Sequence, residues 1–284
     1  MLGRLVLSSR PLSWVNTAIP FAAAYFFAGG ELGPEFAVLT FFFLIPYNYL
    51  MYGINDVFDY ESDVRNPRKG GVEGALLPPQ LHRVTLATSS LLAAPFVVYG
   101  LLAAWGNWAA VAVFFLAVIS VIAYSLKGLR FKEIPFLDSL TSSTHFVSPA
   151  LFGLLLVEPS PDVAVLIALG AFFFWGVASH AFGAVQDVKA DREADISSIA
   201  TSLGARLTVR LAFATYLLAG TMLLLLPDRF VWAACAVVPY LFATAREFDI
   251  KDENCERANR GWRLFLGFNF LAGAIVMALL IGPS

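Results

Sequence analysis

Nine long apolar runs, at residues 13–30, 36–55, 84–104, 108–126, 136–157, 163–185, 208–226, 230–246 and 264–281, are separated by polar connections that alternate between short and long. Each comes close to the roughly 20 residues that carry an α-helix across a bilayer. Inside lipid a segment must satisfy its own backbone polar groups, which favours helices. The pattern therefore predicts an all-α, polytopic membrane protein: nine transmembrane helices in a single membrane-embedded domain over 1–284, with cap loops on the cytoplasmic side. Arg4 and Arg10 ahead of the first run mimic the basic start of a signal peptide. No small-residue cleavage site closes that run, so it is expected to remain as the first helix.

Nine crossings put the two ends on opposite faces. With the N-terminus in the cytoplasm, loops 56–83, 127–135, 186–207 and 247–263 are cytoplasmic, and of 19 Lys and Arg residues only Arg229 falls in an outer loop. That asymmetry is the positive-inside pattern and predicts a multi-pass protein of the plasma membrane. Composition agrees, since the 58% hydrophobic share exceeds, and the 14% charged share falls below, the about 45–50% and about 25% found in soluble domains. No nucleic-acid partner is expected. Cys235 in an apolar run and Cys255 in a polar loop form no CxxC or Cys–His pattern, which argues against a thiolate metal site or a disulfide framework.

Two acidic motifs interrupt this apolar background. Asn55-Asp56-Val57-Phe58-Asp59-Tyr60-Glu61-Ser62-Asp63 ends the second run, and Asp187-Val188-Lys189-Ala190-Asp191-Arg192-Glu193-Ala194-Asp195 ends the sixth. On a helix Asp56, Asp59 and Asp63 share one stripe, as do Asp187, Asp191 and Asp195. Carboxylates stacked this way at a bilayer edge repel one another and are costly to desolvate, so they call for cations. Mg2+ suits them, because it binds through one or two carboxylates and leaves positions for water and phosphate oxygens. A solvated helix end with salt bridges to Lys189 and Arg192 would explain one motif. Two on the same membrane side are harder to explain that way, and their equivalent positions suggest an internal duplication of a motif-bearing helical unit.

Complementary charge lies nearby in sequence: Arg65, Arg68 and Lys69 in the first large loop, Lys127, Arg130 and Lys132 after the fourth run, Lys189 and Arg192 inside the second motif. Arginine forks and lysine point charges neutralise a diphosphate leaving group, although cytoplasmic loops are basic in any case. The glycines of Arg68-Lys69-Gly70-Gly71-Val72-Glu73-Gly74 would let that loop fold over a phosphate, without being a P-loop. Most of the aromatics are packing or interface residues. Tyr49, Tyr52, Tyr124 and Trp175, near the acidic stripes, are candidates to stabilise a carbocation through their ring faces. His145 and His180 fit satisfied buried histidines better than bases, and are retained as pocket candidates.

Asn55-Asp56-xx-Asp59-xxx-Asp63 together with Asp187-xxx-Asp191, in a chain of nine expected spans, resembles the UbiA superfamily of intramembrane prenyltransferases over essentially its whole length. The resemblance implies that Asp56, Asp59, Asp63, Asp187 and Asp191 hold Mg2+ and an isoprenyl diphosphate, with Asn55 in support. Diphosphate departs, and the carbocation alkylates an acceptor entering from the membrane. The third position of the second motif is often Gly in the family and is Asp195 here, which weakens its claim as a ligand. The segments Ser8–Thr17, which includes the pocket candidate Asn16, Tyr52–Asp63, Asn66–Ala75, Leu140–Phe146 and Gly183–Val188 look like the lycopene elongase branch. That branch adds C5 units from dimethylallyl diphosphate to the two ends of lycopene, giving C50 carotenoids. Quinone, chlorophyll-type or lipid acceptors would use the same aspartates. A cation-coupled transporter is the non-enzymatic alternative, but transporter acids favour the bilayer midplane rather than span ends.

Overall fold

The computed structural model of the protein describes residues 2–64 and 75–282. Every regular element among them is helical. In chain order these are α1 (Leu2–Ser8), α2 (Val15–Phe27), α3 (Pro34–Leu44), α4 (Pro46–Phe58), α5 (Tyr60–Asp63), α6 (His82–Ala103) and α7 (Trp108–Ser125). There follow α8 (Leu137–Val157), α9 (Val163–Val185), α10 (Val188–Glu193), α11 (Ile199–Leu203), α12 (Ala205–Leu223), α13 (Val238–Ala245) and α14 (Asn259–Ile281). Local chemistry sets several boundaries. Pro34 and Pro46 open α3 and α4 in the first turn, where their missing N–H costs nothing. Asn107 and Asp162 accept the first free N–H groups of α7 and α9.

Among the described residues, six helical stretches are long and apolar enough to cross a bilayer: Pro34–Phe58, Pro79–Ala103, Trp108–Ser125, Leu137–Val157, Val163–Val185 and Asp252–Ile281. Three of the nine expected spans fall short, each for a visible reason. The first is the 13-residue α2, ended by Gly29 in a left-handed conformation. The seventh, α12, is 19 residues long but carries Arg206 and Arg210 in its first turns. The eighth splits at Pro239 into a 3-10 segment, Asp228–Val237, and the eight-residue α13.

The chain divides into two compact units. The first comprises residues 1–131 and 144–161, the second 132–143 and 162–284, so the division runs through α8. In the first unit α4 packs against α6 and α7. Its core is aromatic, built on Phe21, Phe42, Phe43, Tyr47, Phe114 and Phe152. In the second, α9 lies along α12, where buried Ala205, Ala212 and Ala219 recur every seven residues beside Val209 and Tyr216. Small residues at that period let two helix backbones approach closely where lipid provides no hydrophobic drive. The outer faces are apolar instead: Leu91, Val98, Leu102, Phe115 and Leu116 in the first unit and Leu217, Leu225 and Phe270 in the second are all exposed. Trp105 and Trp108, at the α6–α7 turn, are 77% and 70% exposed, as expected of an interfacial belt.

Candidate active site

The first acidic motif straddles a helix break. Helix α4 ends at Phe58, and Asp59 is its C-cap, donating its backbone N–H to Asn55 O at 2.9 Å. The short α5 then takes over, with Asp63 N donating to Asp59 O at 2.8 Å. The expected single stripe is therefore interrupted, and Asp56 and Asp59 have different surroundings. Asn55 Nδ2 donates to Asp59 Oδ2 at 2.8 Å and to Ser125 Oγ at 3.0 Å. Arg130 stands 3.6 Å from Asp59 Oδ1 and donates to Phe58 O at 3.3 Å. It is delivered by the turn after α7, in which Gly128 and Arg130 itself both have positive φ. Asp59 and Asp63 are buried, at 7% and 6% exposure, in a setting that supplies carboxylate oxygens, an amide and a cation.

Asp56 faces elsewhere. Ser8 Oγ donates to its Oδ2 at 2.9 Å, the Ala75 N–H to the same oxygen at 3.3 Å, and Arg10 to Oδ1 at 3.3 Å. Arg10 also donates to Asn55 Oδ1 at 3.1 Å, and its guanidinium lies 4.2 Å from the Tyr52 ring centre. Burial works against the Arg10 charge, but Asp56, then Tyr52 and Asp63, outweigh it and push its pKa above the ordinary arginine value. Ser8, Arg10 and Ser125 are parts of this neighbourhood that motif reading missed. Arg10 lies 45 positions from Asn55, and a basic residue beside a proline carries no signal of where it folds back.

Of the other candidates in the first unit, Tyr124 and His145 meet edge to face at 5.1 Å, and His145 is buried. The Tyr49 hydroxyl is 2.7 Å from Thr88 Oγ1. Asn16 is half-buried on α2, and Lys127 is exposed in the turn after α7. Arg65, Arg68, Lys69 and the glycines beside them lie outside the described residues.

The second motif repeats the arrangement within its own unit. Helix α9 ends at Val185, Asp187 sits at the N-cap of the short α10, and Asp191 N donates to Asp187 O at 2.8 Å. Asp187 and Asp191 are half-buried. The Gln186 side chain accepts from Asn259 Nδ2 at 2.6 Å and donates to Gly183 O at 3.0 Å, pinning the junction. Arg192, expected at a diphosphate, donates to Asp252 Oδ2 at 2.5 Å and to Thr201 O at 2.9 Å. Asp252 Oδ1 accepts the first N–H of α12, from Ala205, at 2.7 Å. Lys189 is exposed and Lys132 half-buried.

Asp195 is exposed and has φ +54°. Ile196 N donates to Asp191 O and Asp195 N to Arg192 O, the paired bonds of a Schellman helix end with Asp195 at the left-handed position. Glycine is the residue most at ease in that left-handed position, and Asp195 takes it here. His180 Nδ1 lies 3.0 Å from Ser139 Oγ. Buried Asp138, which the motifs did not flag, accepts from Ser139 N and Ile199 N at 2.6 and 2.7 Å. Trp175 stacks between Phe172 and Phe265 and meets Tyr240 edge-on. Both cysteines are free, and Cys255 is buried against Gln186 O.

Among the described residues, no three His, Cys, Asp or Glu side chains converge as a ready-made metal cage. Magnesium does not need one. The motifs offer hard carboxylate oxygens in pairs, and an ion that completes its octahedron with water and phosphate oxygens fits that donor set.

Comparison with known proteins bears on this arrangement. Residues 17–280 match the UbiA prenyltransferase family. A lycopene elongase/hydratase of Corynebacterium glutamicum is 53% identical over 98% of this chain and 96% of its own length. A C(50) beta-cyclic carotenoids biosynthesis protein of Dietzia sp. is 52% identical over 99% of this chain and 65% of its own. A lycopene elongase/hydratase of Haloferax volcanii is 35% identical over 76% of this chain and 70% of its own. Among solved structures, a UbiA homolog from Archaeoglobus fulgidus bound to DMAPP and Mg2+ superposes with a TM-score of 0.69 at 14% identity. That match covers 95% of this chain and 98% of the homolog.

Proposed function

We propose, from the premise that this chain belongs to the UbiA prenyltransferase family, that it transfers C5 units from dimethylallyl diphosphate to the two ends of lycopene, with Mg2+ as cofactor. The chain is a prenyltransferase, which sets the transporter reading aside. The Asn55–Asp59–Arg130 group at the α4–α5 break carries the diphosphate half of this proposal. Full-length likeness to the lycopene elongase/hydratases carries the acceptor half.

Asp59, Asp63, Asp187 and Asp191 are the carboxylates proposed to hold magnesium. When bound, the ion neutralises charge building on the departing diphosphate. Asn55 fixes the Asp59 carboxylate through its amide. Arg130 stands beside that carboxylate as a cation for the leaving group, with Lys132 and the loop residues Arg65, Arg68 and Lys69 proposed to join it. The bond between the allylic carbon and the diphosphate breaks, both electrons leaving with the diphosphate. Lycopene is a hydrocarbon with no acidic group to deprotonate first, so its terminal double bond gives an electron pair to the new cation directly. The resulting tertiary cation is discharged by loss of a proton or by addition of water. An aromatic face such as Tyr124, held edge-on to His145, stabilises a cation without trapping it.

Protein in lipid supplied with Mg2+, dimethylallyl diphosphate and lycopene is expected to yield products heavier by one and then two C5 units, followed by chromatography and mass. Added oxygen would identify water as the terminating nucleophile. Absence of any carotenoid product, with prenylation of a supplied quinone precursor, would overturn the acceptor and keep the family chemistry.

A further inference from the structure

We infer that Asp56 is not a magnesium ligand but the anchor of an N-terminal strap, residues 8–10, which sets the orientation of Asn55 and through it the position of Asp59. The inference rests on the reading of Asp59 as a metal carboxylate and adds a positioning pair, Arg10 and Asp56, that neither motif reveals.

The geometry separates neighbours within one motif. Consecutive residues on a helix point about 100° apart, so Asn55 and Asp56 address different surroundings. Both oxygens of Asp56 are engaged by protein groups, and its side chain has no exposure. Those groups come from three places: the end of α1 (Ser8), the turn after it (Arg10), and the chain returning from the first large loop (Ala75). The strap is itself built. Ser8 and Ser9 are buried, Ser9 Oγ donates to Val6 O at 2.6 Å, and Trp14 Nε1 donates to Ser9 O at 3.0 Å. Arg10 sits at φ +48°, ψ +74°, a left-handed conformation that a non-glycine residue keeps when its surroundings demand it.

Arginine only donates, so Arg10 can face only the oxygen of the Asn55 amide. With Oδ1 held there at 3.1 Å, Nδ2 is left to point at Asp59 Oδ2 and Ser125 Oγ. Asp56 holds Arg10, Arg10 fixes which way the amide faces, and the amide fixes Asp59. Without the guanidinium the Asn55 oxygen loses the donor that holds it at 3.1 Å, and only the acceptor-only Asp59 carboxylate is left to orient the amide. The strap therefore acts on the chemistry while touching neither metal nor substrate.

The test uses full-length protein in lipid with Cys235 and Cys255 replaced by serine and a reporter at the buried strap, Ser9→Cys. Maleimide labelling of this reporter without metal is expected to accelerate in Asp56→Asn and in Arg10→Gln, with no further gain in the double variant. Ser8→Ala is a milder lesion of the same contact, should the larger ones fold poorly. Mn2+ binding in the presence of inorganic pyrophosphate, followed by electron paramagnetic resonance, is expected to weaken severalfold in Asp56→Asn, where the Asp59 carboxylate is kept but less well held, and by a larger factor of at least tenfold in Asp59→Asn, while Asp56→Asn slows turnover by about tenfold. Unchanged labelling in the strap variants would overturn the inference, as would a loss of Mn2+ affinity in Asp56→Asn equal to that in Asp59→Asn. Neither readout involves lycopene. A wrong acceptor would leave both intact, and wild-type protein that binds no Mn2+ would overturn the metal reading while the labelling still decided the strap.

Discussion

At the scale of single residues, identical side chains in one motif have different partners, and substitutions should divide them. Asp59, buried beside Arg130 and held by Asn55, is expected to be indispensable. Asp59→Ala should abolish prenyl transfer in protein that still runs as a folded monodisperse species in detergent. Wild-type-like turnover would remove Asp59 from the metal site. Asp195 is the opposite case. It closes α10 in a left-handed conformation, where a residue with a Cβ pays roughly 1–2 kcal/mol that glycine avoids. Asp195→Gly should therefore leave Mg2+ dependence unchanged and keep or slightly raise the melting temperature. A large increase in the Mg2+ needed for half-maximal activity would restore Asp195 as a ligand. The sequence made the carboxylates visible, because charge at the end of an apolar run stands out. It could not show which of them turn inward to protein, since that depends on contacts such as Arg10 to Asp56, 46 positions apart, that leave no local pattern.

At the scale of elements, the end of each long helix and the short helix after it form the unit of design, in α4–α5 and again in α9–α10. Close helix approach in the second unit supports that geometry. A Cβ added at Gly176 on α9 would lie 2.4 Å from Ser143 Oγ and 3.2 Å from Ser143 Cα on α8, while Ser143 Oγ is committed to Phe173 O at 2.6 Å. Gly176→Ala should destabilise the protein by about 1–3 kcal/mol through overpacking. At Gly267 on α14 an added Cβ meets nothing within 4 Å, so Gly267→Ala should be neutral or stabilising by up to about 1 kcal/mol through helix propensity. Equal thermal shifts in the two variants would contradict the contact. Hydropathy located most of the long helices, and the boundaries it missed have a common cause. A sliding reading of apolar character does not register a proline that restarts a helix, as Pro46 and Pro239 do, or a 3-10 turn that consumes ten residues without the length to cross a bilayer.

At the scale of the whole molecule, those boundaries bear on how α12 and the segment 228–245 meet the membrane. Neither meets the length and apolarity of the six longer stretches, yet Leu217, Leu218, Leu224, Leu225, Trp232, Val238 and Phe242 expose large apolar side chains along both. In water that surface would be unfavourable, at roughly 25 cal/mol for each Å2 of apolar area, whereas in lipid it has no such cost. Charge placement points the same way. Arg206 and Arg210 mark one end of α12, Arg246 and Lys251 lie past the end of α13, and only Asp228 and Arg229 occupy the turn between them. If the pair crosses and returns, that turn lies outside the cell and its basic flanks lie inside, consistent with the positive-inside asymmetry. In protein lacking Cys235 and Cys255, Asp228→Cys should react with an impermeant maleimide in intact cells. Lys251→Cys should react only after permeabilisation. Labelling of both positions from the same side would mean that α12 and 228–245 stay on one face of the bilayer. The second aspartate motif, which directly precedes this pair, would then need its side of the membrane assigned independently of it.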